Sequence, residues 1–262
     1  MLADIASWPT WSVLATFGAL FLLVMFGSRK LLARFSDEER REEVSELAGS
    51  LNGPVGATLA FLVGFAVSIT WTTMSSAQSS VEKLGAQAQQ TALLIGSTLD
   101  RPDDQRISDD LVAYLNAIAQ KDSVVLSQEE VSEMPSFGAL EKLQNDVHDL
   151  VASPPAGTDA ASLRTLQSQV LQLAQYQAEL NAVARRGLPP VVLQLLILTG
   201  CLSAATVGML AVKIRRPYLI VGWAVVIAMG LTVVMALYNP FEGTVSVTFA
   251  PLTDAAARVA VH

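Results

Sequence analysis

Four stretches of this chain are apolar along their whole length rather than on one face: residues 11–27, 54–74, 190–212 and 218–237. A helix needs roughly 20 such residues to cross a hydrocarbon layer about 30 Å thick, and each stretch is of that order. Ser, Thr, Gly, Gln194 and Cys201 are the main polar interruptions, and no Asp, Glu, Lys or Arg falls inside any stretch. A lipid bilayer is therefore the expected solvent, and ion pumping through an intramembrane carboxylate relay is excluded by the same absence. The pattern predicts an all-α integral membrane protein with four transmembrane helices, about 11–28, 54–75, 190–212 and 218–237. Residues 1–75 and 189–238 form two transmembrane hairpins, residues 76–188 an acidic helical extramembrane domain between the second and third helices, and residues 239–262 a C-terminal tail.

Beyond residue 75 the hydrophobic positions become striped. Val81, Leu84, Ala88, Ile95 and Leu99 continue a helical face with no breaker until Pro102, so the second helix is expected to leave the membrane as a rod. Ile107, Leu111, Leu115 and Ile118 mark a further helix, Ser127 with Glu130 has capping-box spacing, and Leu140, Leu143, Val147 and Leu150 mark another. Pro102, Pro135 and Pro154-Pro155 punctuate them. The strongest stripe lies within 159–186, where Leu163, Leu166, Val170, Leu173, Gln177, Leu180 and Ala184 alternate steps of three and four. That is a heptad seam, suited either to the domain's own bundle or to a coiled coil between subunits, and Gln177 within it would fix register. In the loop 36–53, Val44, Leu47 and Leu51 behind a mixed-charge run fit a short amphipathic surface helix, or equally a solvated turn. No alternating pattern longer than residues 244–249 suggests a strand.

Composition agrees with the membrane reading: 52% of residues are hydrophobic, 16% are charged and the mean hydropathy is +0.43. The net charge of −7 is matched by residues 76–188 alone, with 15 acidic and 8 basic side chains, so there is no basic footprint for nucleic acid. Arg29, Lys30, Arg34, Arg40 and Arg41 crowd the first short connection and Lys213, Arg215 and Arg216 the second, while the termini carry only Arg258. The positive-inside rule then places both connections in the cytoplasm, and both termini and the 76–188 domain outside. Met1 to Thr10 contains Asp4 and no basic residue, which fits a retained first helix rather than a secretory signal. The single cysteine, Cys201, allows no intrachain disulfide.

Chemistry-bearing constellations are missing. His148 and His262 are the only histidines and read as solvated, and neither a nucleophile with its base, a metal ligand set nor a phosphate-cradling glycine loop is present. The expectation is no enzyme, no cofactor and no metal. The second apolar stretch is more informative. Ala57, Phe61 and Phe65 stand at i, i+4 and i+8 and share one helix face, and Gly56, Ala60 and Gly64 form a row of small residues beside it. Two uses fit: ordinary helix packing with phenylalanines toward lipid, or a symmetric ring of such helices forming a narrow hydrophobic neck that gates by dewetting. Thr58 and Ser68 would offer pore-lining hydroxyls. The fourth stretch ends in Asn239-Pro240-Phe241 followed by Glu242 and Gly243, a helix stop and exit turn.

The four-stretch layout, the motif Phe61-Leu62-Val63-Gly64-Phe65 and the Asn239-Pro240-Phe241 exit resemble the bestrophin-like membrane family of bacteria, distantly similar to bestrophin chloride channels. The resemblance implies a bacterial inner (plasma) membrane protein, a homo-oligomer (pentameric in bestrophins), and an anion-conducting pore lined by the second helix. Neck positions would fall on Ala57, Phe61 and Phe65, the first smaller than the family's usual branched aliphatic. The acidic run that binds calcium after this turn in bestrophins is reduced here to Glu242, so calcium control is not implied. Bestrophins also keep their termini and middle segment in the cytoplasm, the reverse of what the basic loops argue. The function these readings favour is an oligomeric chloride-conducting channel; the alternative is a membrane receptor or scaffold whose helical domain binds a ligand or protein.

Overall fold

The computed structural model of the chain describes residues 8–100, 102–127, 134–155, 157–184, 188–213, 218–241 and 245–260, and all regular structure among them is helical. In chain order the helices are α1 (Thr10–Phe35), α2 (Glu38–Thr98), α3 (Asp103–Ala117), a five-residue π-helical turn (Ile118–Asp122), α4 (Ser123–Ser127), α5 (Ser136–Ala152), α6 (Ala160–Ala184), α7 (Pro190–Leu210) with a 3-10 turn (Ala211–Lys213), α8 (Tyr218–Ala236) and α9 (Ala250–Val259). The chain divides into two compact units, residues 1–72 with 187–245 and residues 73–186 with 246–262.

In the first unit α1 packs along α7 and α8. Val13, Phe17, Phe21 and Met25, each four residues after the last, form the buried stripe of α1, and they meet Leu59 and Ala66 of α2, Leu193, Leu196 and Ala204 of α7, and Ala224, Ala228 and Leu231 of α8. Small residues let these helices close up, as expected where association in lipid rests on van der Waals packing. A Cβ on Gly200 would stand 2.9 Å from the Phe21 ring, and one on Gly208 would overlap the Met25 carbonyl and the Ser28 hydroxyl. Ser28 Oγ, which bonds its own helix at the Met25 carbonyl, also lies 3.2 Å from the Ala205 carbonyl of α7. Proline opens α7 at its first helical position, where its missing N–H costs nothing. Thr10–Phe35, Glu38–Thr98 and Pro190–Leu210 are each long and apolar enough to cross a membrane, while Ile220–Ala236 is apolar but shorter.

Residues 36–53 hold neither a separate surface helix nor a turn. Only Ser36 and Asp37 separate α1 from α2, and α2 then runs from Glu38 through Pro54 to Thr98. The buried face is not the expected one: Leu47 and Leu51 are exposed, whereas the neighbouring Ser45 and Ala48 are buried.

The second unit is built on the stripes. Val81, Leu84, Ala88 and Ile95 of α2, Ile107, Leu111 and Leu115 of α3, Leu143 and Val147 of α5, and Leu163, Leu166, Val170, Leu173 and Leu180 of α6 are all buried. The heptad seam of α6 is thus consumed inside its own unit, against α5 and, through Gln87 and Gln169, against α2. Asp159 caps α6, accepting from the Ser162 amide at 3.1 Å, and the backbone N–H groups there hold its carboxyl below the usual carboxylate range. Of the expected Ser127–Glu130 capping box, Ser127 is the last described residue of α4 and is itself helical, and Glu130 lies outside the described residues. The C-terminal segment is more than a tail, since α9 packs against α3, a Cβ on Gly85 would touch Pro251 at 3.0 Å, and Gln78 Oε1 accepts the Thr248 amide at 3.2 Å. Residues 245–249 form no strand.

Candidate functional site

In the first unit α2 divides sharply into two faces. Leu59, Ala66 and Thr70 are buried against the unit's core, with Val63 3.3 Å from where a Cβ on Gly230 would stand. On the other side Ala57, Phe61, Gly64, Phe65 and Ser68 are all exposed. Phe61 is 70% and Phe65 46% accessible, and their rings lie stacked with centroids 6.2 Å apart and planes 9° from parallel. One-turn spacing along a helix produces such a ladder. The three neck candidates therefore share a face that their own chain leaves uncovered.

The hydroxyl and small-residue candidates resolve differently. Thr58 is exposed, yet its Oγ1 donates to the Pro54 carbonyl at 2.9 Å, occupying an acceptor of its own helix. A Cβ added at Gly56 or Gly64 would find no heavy atom within 4 Å, and Ala60 is exposed. Within one chain this row packs nothing, so it can serve as a packing surface only between copies or against lipid. At the exit of α8, Asn239 Oδ1 accepts the Phe241 amide at 3.0 Å, an Asx turn, and Asn239, Pro240 and Phe241 are buried. These three close the end of the helix; Gly243 lies outside the described residues.

A second constellation, in the second unit, was signalled in the sequence by Gln177 alone. Gln177, 1% exposed, accepts from the Tyr114 hydroxyl at 3.1 Å and donates to Ser136 Oγ, with Asp122 Oδ2 at 3.5 Å. Asp122 in turn accepts the Ser136 amide at 3.0 Å and the Ser136 hydroxyl. Burial pushes the Asp122 carboxyl above its ordinary range, against the hydrogen bonds from Ser136 and Gln177. Burial, with the Asp122 charge beside it, likewise raises Tyr114. The π-helical turn that ends at Asp122 directs the carboxylate inward, and nothing in the hydrophobic periodicity marks it. On α3 the carboxyl of Asp110 is also pushed up, chiefly by burial, and is paired with Lys142, which reaches Asp146 at 3.7 Å. Among the described residues no cluster of three or more His, Cys, Asp or Glu could hold a metal ion.

The fold has counterparts among solved structures. A membrane protein crystal structure superimposes with a TM-score of 0.69 at 15% identity over 94% of this chain and 96% of its own. Crystal structures of two variants of a bacterial bestrophin homologue from Klebsiella pneumoniae give 0.67 at 16% identity, covering 92% and 97% of the two chains, and 0.65 at 15%, covering 94% of each. No curated protein matches the sequence. The family model of the bestrophin-like domain, however, matches residues 10–252, so the chain belongs to the bestrophin-like family.

Proposed function

We propose that the protein is an oligomeric ion channel of the bacterial inner membrane that conducts small anions such as chloride along a path lined by α2. The carrying observation is the stacked Phe61–Phe65 pair, left uncovered on the face of α2 opposite its packing stripe. Copies of the chain arranged about an axis, five by resemblance to bestrophins, would turn Ala57, Phe61 and Phe65 into a hydrophobic constriction of the kind that gates by dewetting. Gly56, Ala60 and Gly64 beside them are free to receive a neighbouring copy. In this reading α1, residues 54–75 of α2, α7 and α8 span the bilayer in two hairpins, and the loop charges place residues 76–188 and both termini outside the cytoplasm.

The test is chloride flux from proteoliposomes. Purified protein is expected to release trapped chloride, and Phe61→Ala or Phe65→Ala to change the rate by widening the constriction. Absence of flux from a preparation whose oligomer is intact would overturn the proposal. A reporter fused after His262 that is active only in the cytoplasm would reverse the orientation.

A further inference from the structure

Hydroxyls within helices commonly turn back on carbonyls three or four residues earlier. Many in this chain do so: Thr70, Thr72, Thr91, Thr165 and Ser168 each donate to their own helix. Ser75, Ser76, Ser79 and Ser80 differ. They stand as two pairs one turn apart on α2, beyond its apolar stretch, and among the described residues none of the four hydroxyls has a hydrogen-bond partner. They line a cleft of about 500 Å³ in the extramembrane unit, closed on the other side by α6. Two charged groups complete the lining, Lys83 of α2 and Glu179 of α6, with Nζ and Oε2 3.9 Å apart and both side chains more than half exposed. Glu82, next to Lys83, is engaged by the Gln78 amide at 3.0 Å.

We infer that this cleft binds a small monovalent anion between the Lys83 ammonium and the serine hydroxyls, and that it sets the anion-over-cation preference of the conducting path. The site supplies one cation and up to four uncommitted O–H donors, which is the coordination a halide accepts. Glu179 is its counterweight. At 3.9 Å, in water, the carboxylate holds Lys83 weakly, so an anion displaces it at small cost and is itself held loosely. Loose holding is what a conduction path requires, because an ion bound too well does not leave. The selectivity half of the inference rests on the channel reading; the binding half does not.

Binding is measured on the full-length purified protein by chloride-35 NMR line broadening, with bromide as competitor. The wild type is expected to show saturable broadening. Lys83→Gln should weaken it at least tenfold, Lys83→Arg should retain it, Ser75→Ala with Ser79→Ala should weaken it a few-fold, and Glu179→Gln should tighten it. In planar bilayers under a potassium chloride gradient, Lys83→Gln should move the reversal potential away from the chloride limit and Glu179→Gln should move it closer. Broadening that does not saturate, or that ignores Lys83→Gln, overturns the site. A reversal potential unmoved by Lys83→Gln overturns its role in selectivity. Lys83-dependent binding with no current from any variant upholds the site and refutes the channel reading instead.

Discussion

Replacing Gln177 with leucine tests whether the buried polar network holds the second unit in one arrangement. Leucine has nearly the right volume and matches its seam neighbours Leu173 and Leu180, so the apolar surface it adds stabilises by about 1 kcal/mol. Against that, Tyr114 is wholly buried and its hydroxyl has Gln177 Oε1 as acceptor, at 3.1 Å. A buried hydroxyl left without a partner costs about 1–3 kcal/mol, and the lost donation to Ser136 about 1 kcal/mol more. The net expectation is a loss of about 1–3 kcal/mol. Hydrogen exchange on the full-length protein reads it directly: a loss of about 2 kcal/mol lowers amide protection in α3 and α6 by roughly 30-fold. Adding Tyr114→Phe to Gln177→Leu removes the stranded hydroxyl and should recover about 1–2 kcal/mol, although Tyr114→Phe alone destabilises. That opposite sign in the two backgrounds is the signature of a direct pair. Protection equal to or above wild type in Gln177→Leu, or no recovery in the double variant, would refute the reasoning.

Asp122 sets a pH dependence of known sign. Its carboxyl, raised by burial above the ordinary 3.8, binds its proton more tightly folded than unfolded, so stability falls as pH rises from about 4 through the raised value. Asp122→Asn should flatten that fall, seen as the pH slope of exchange-derived opening free energies between wild type and variant; an unchanged slope would show that the carboxyl does not titrate differently on folding. In the first unit, Gly208→Ala should destabilise by about 1–3 kcal/mol, because its Cβ meets the Met25 carbonyl of α1, which cannot swing away, as well as the Ser28 hydroxyl. Gly64→Ala meets nothing within 4 Å and should leave the chain's own packing intact, so thermal melts of the detergent-solubilised protein should separate the two.

Much of the fold was legible because it follows from periodicity. All-round apolar stretches, leucine stripes three and four residues apart and proline stops correspond to α3, α5, α6 and α7 within a few residues of their bounds, while α1 continues past its expected end at residue 28 to Phe35. The candidate neck was legible for the same reason, since residues four apart share a face whatever surrounds them. Tertiary contacts decided three things local patterns could not. The Ser36–Asp37 break is too short for a separate surface helix, so residues 38–53 joined α2 despite Pro54. Ser127 has the right spacing for a cap but is itself helical within α4, since spacing does not reveal whether the chain is already wound at that point. Asp122 sits in the polar run Gln120-Lys121-Asp122-Ser123, which carries no sign of burial, yet the π-helical turn directs its carboxylate onto Ser136 and Gln177.

The sequence by itself determined that the chain is helical, that it belongs in a bilayer and that α2 carries a Phe61–Phe65 face, because each depends on the order of apolar side chains along one helix. Which face of α2 is covered was a tertiary decision. The core of Phe17, Phe21, Leu196 and Ala228 claims Leu59 and Ala66, and so leaves Phe61 and Phe65 on the uncovered side. Periodicity defines faces but not their partners, and only packing assigns those.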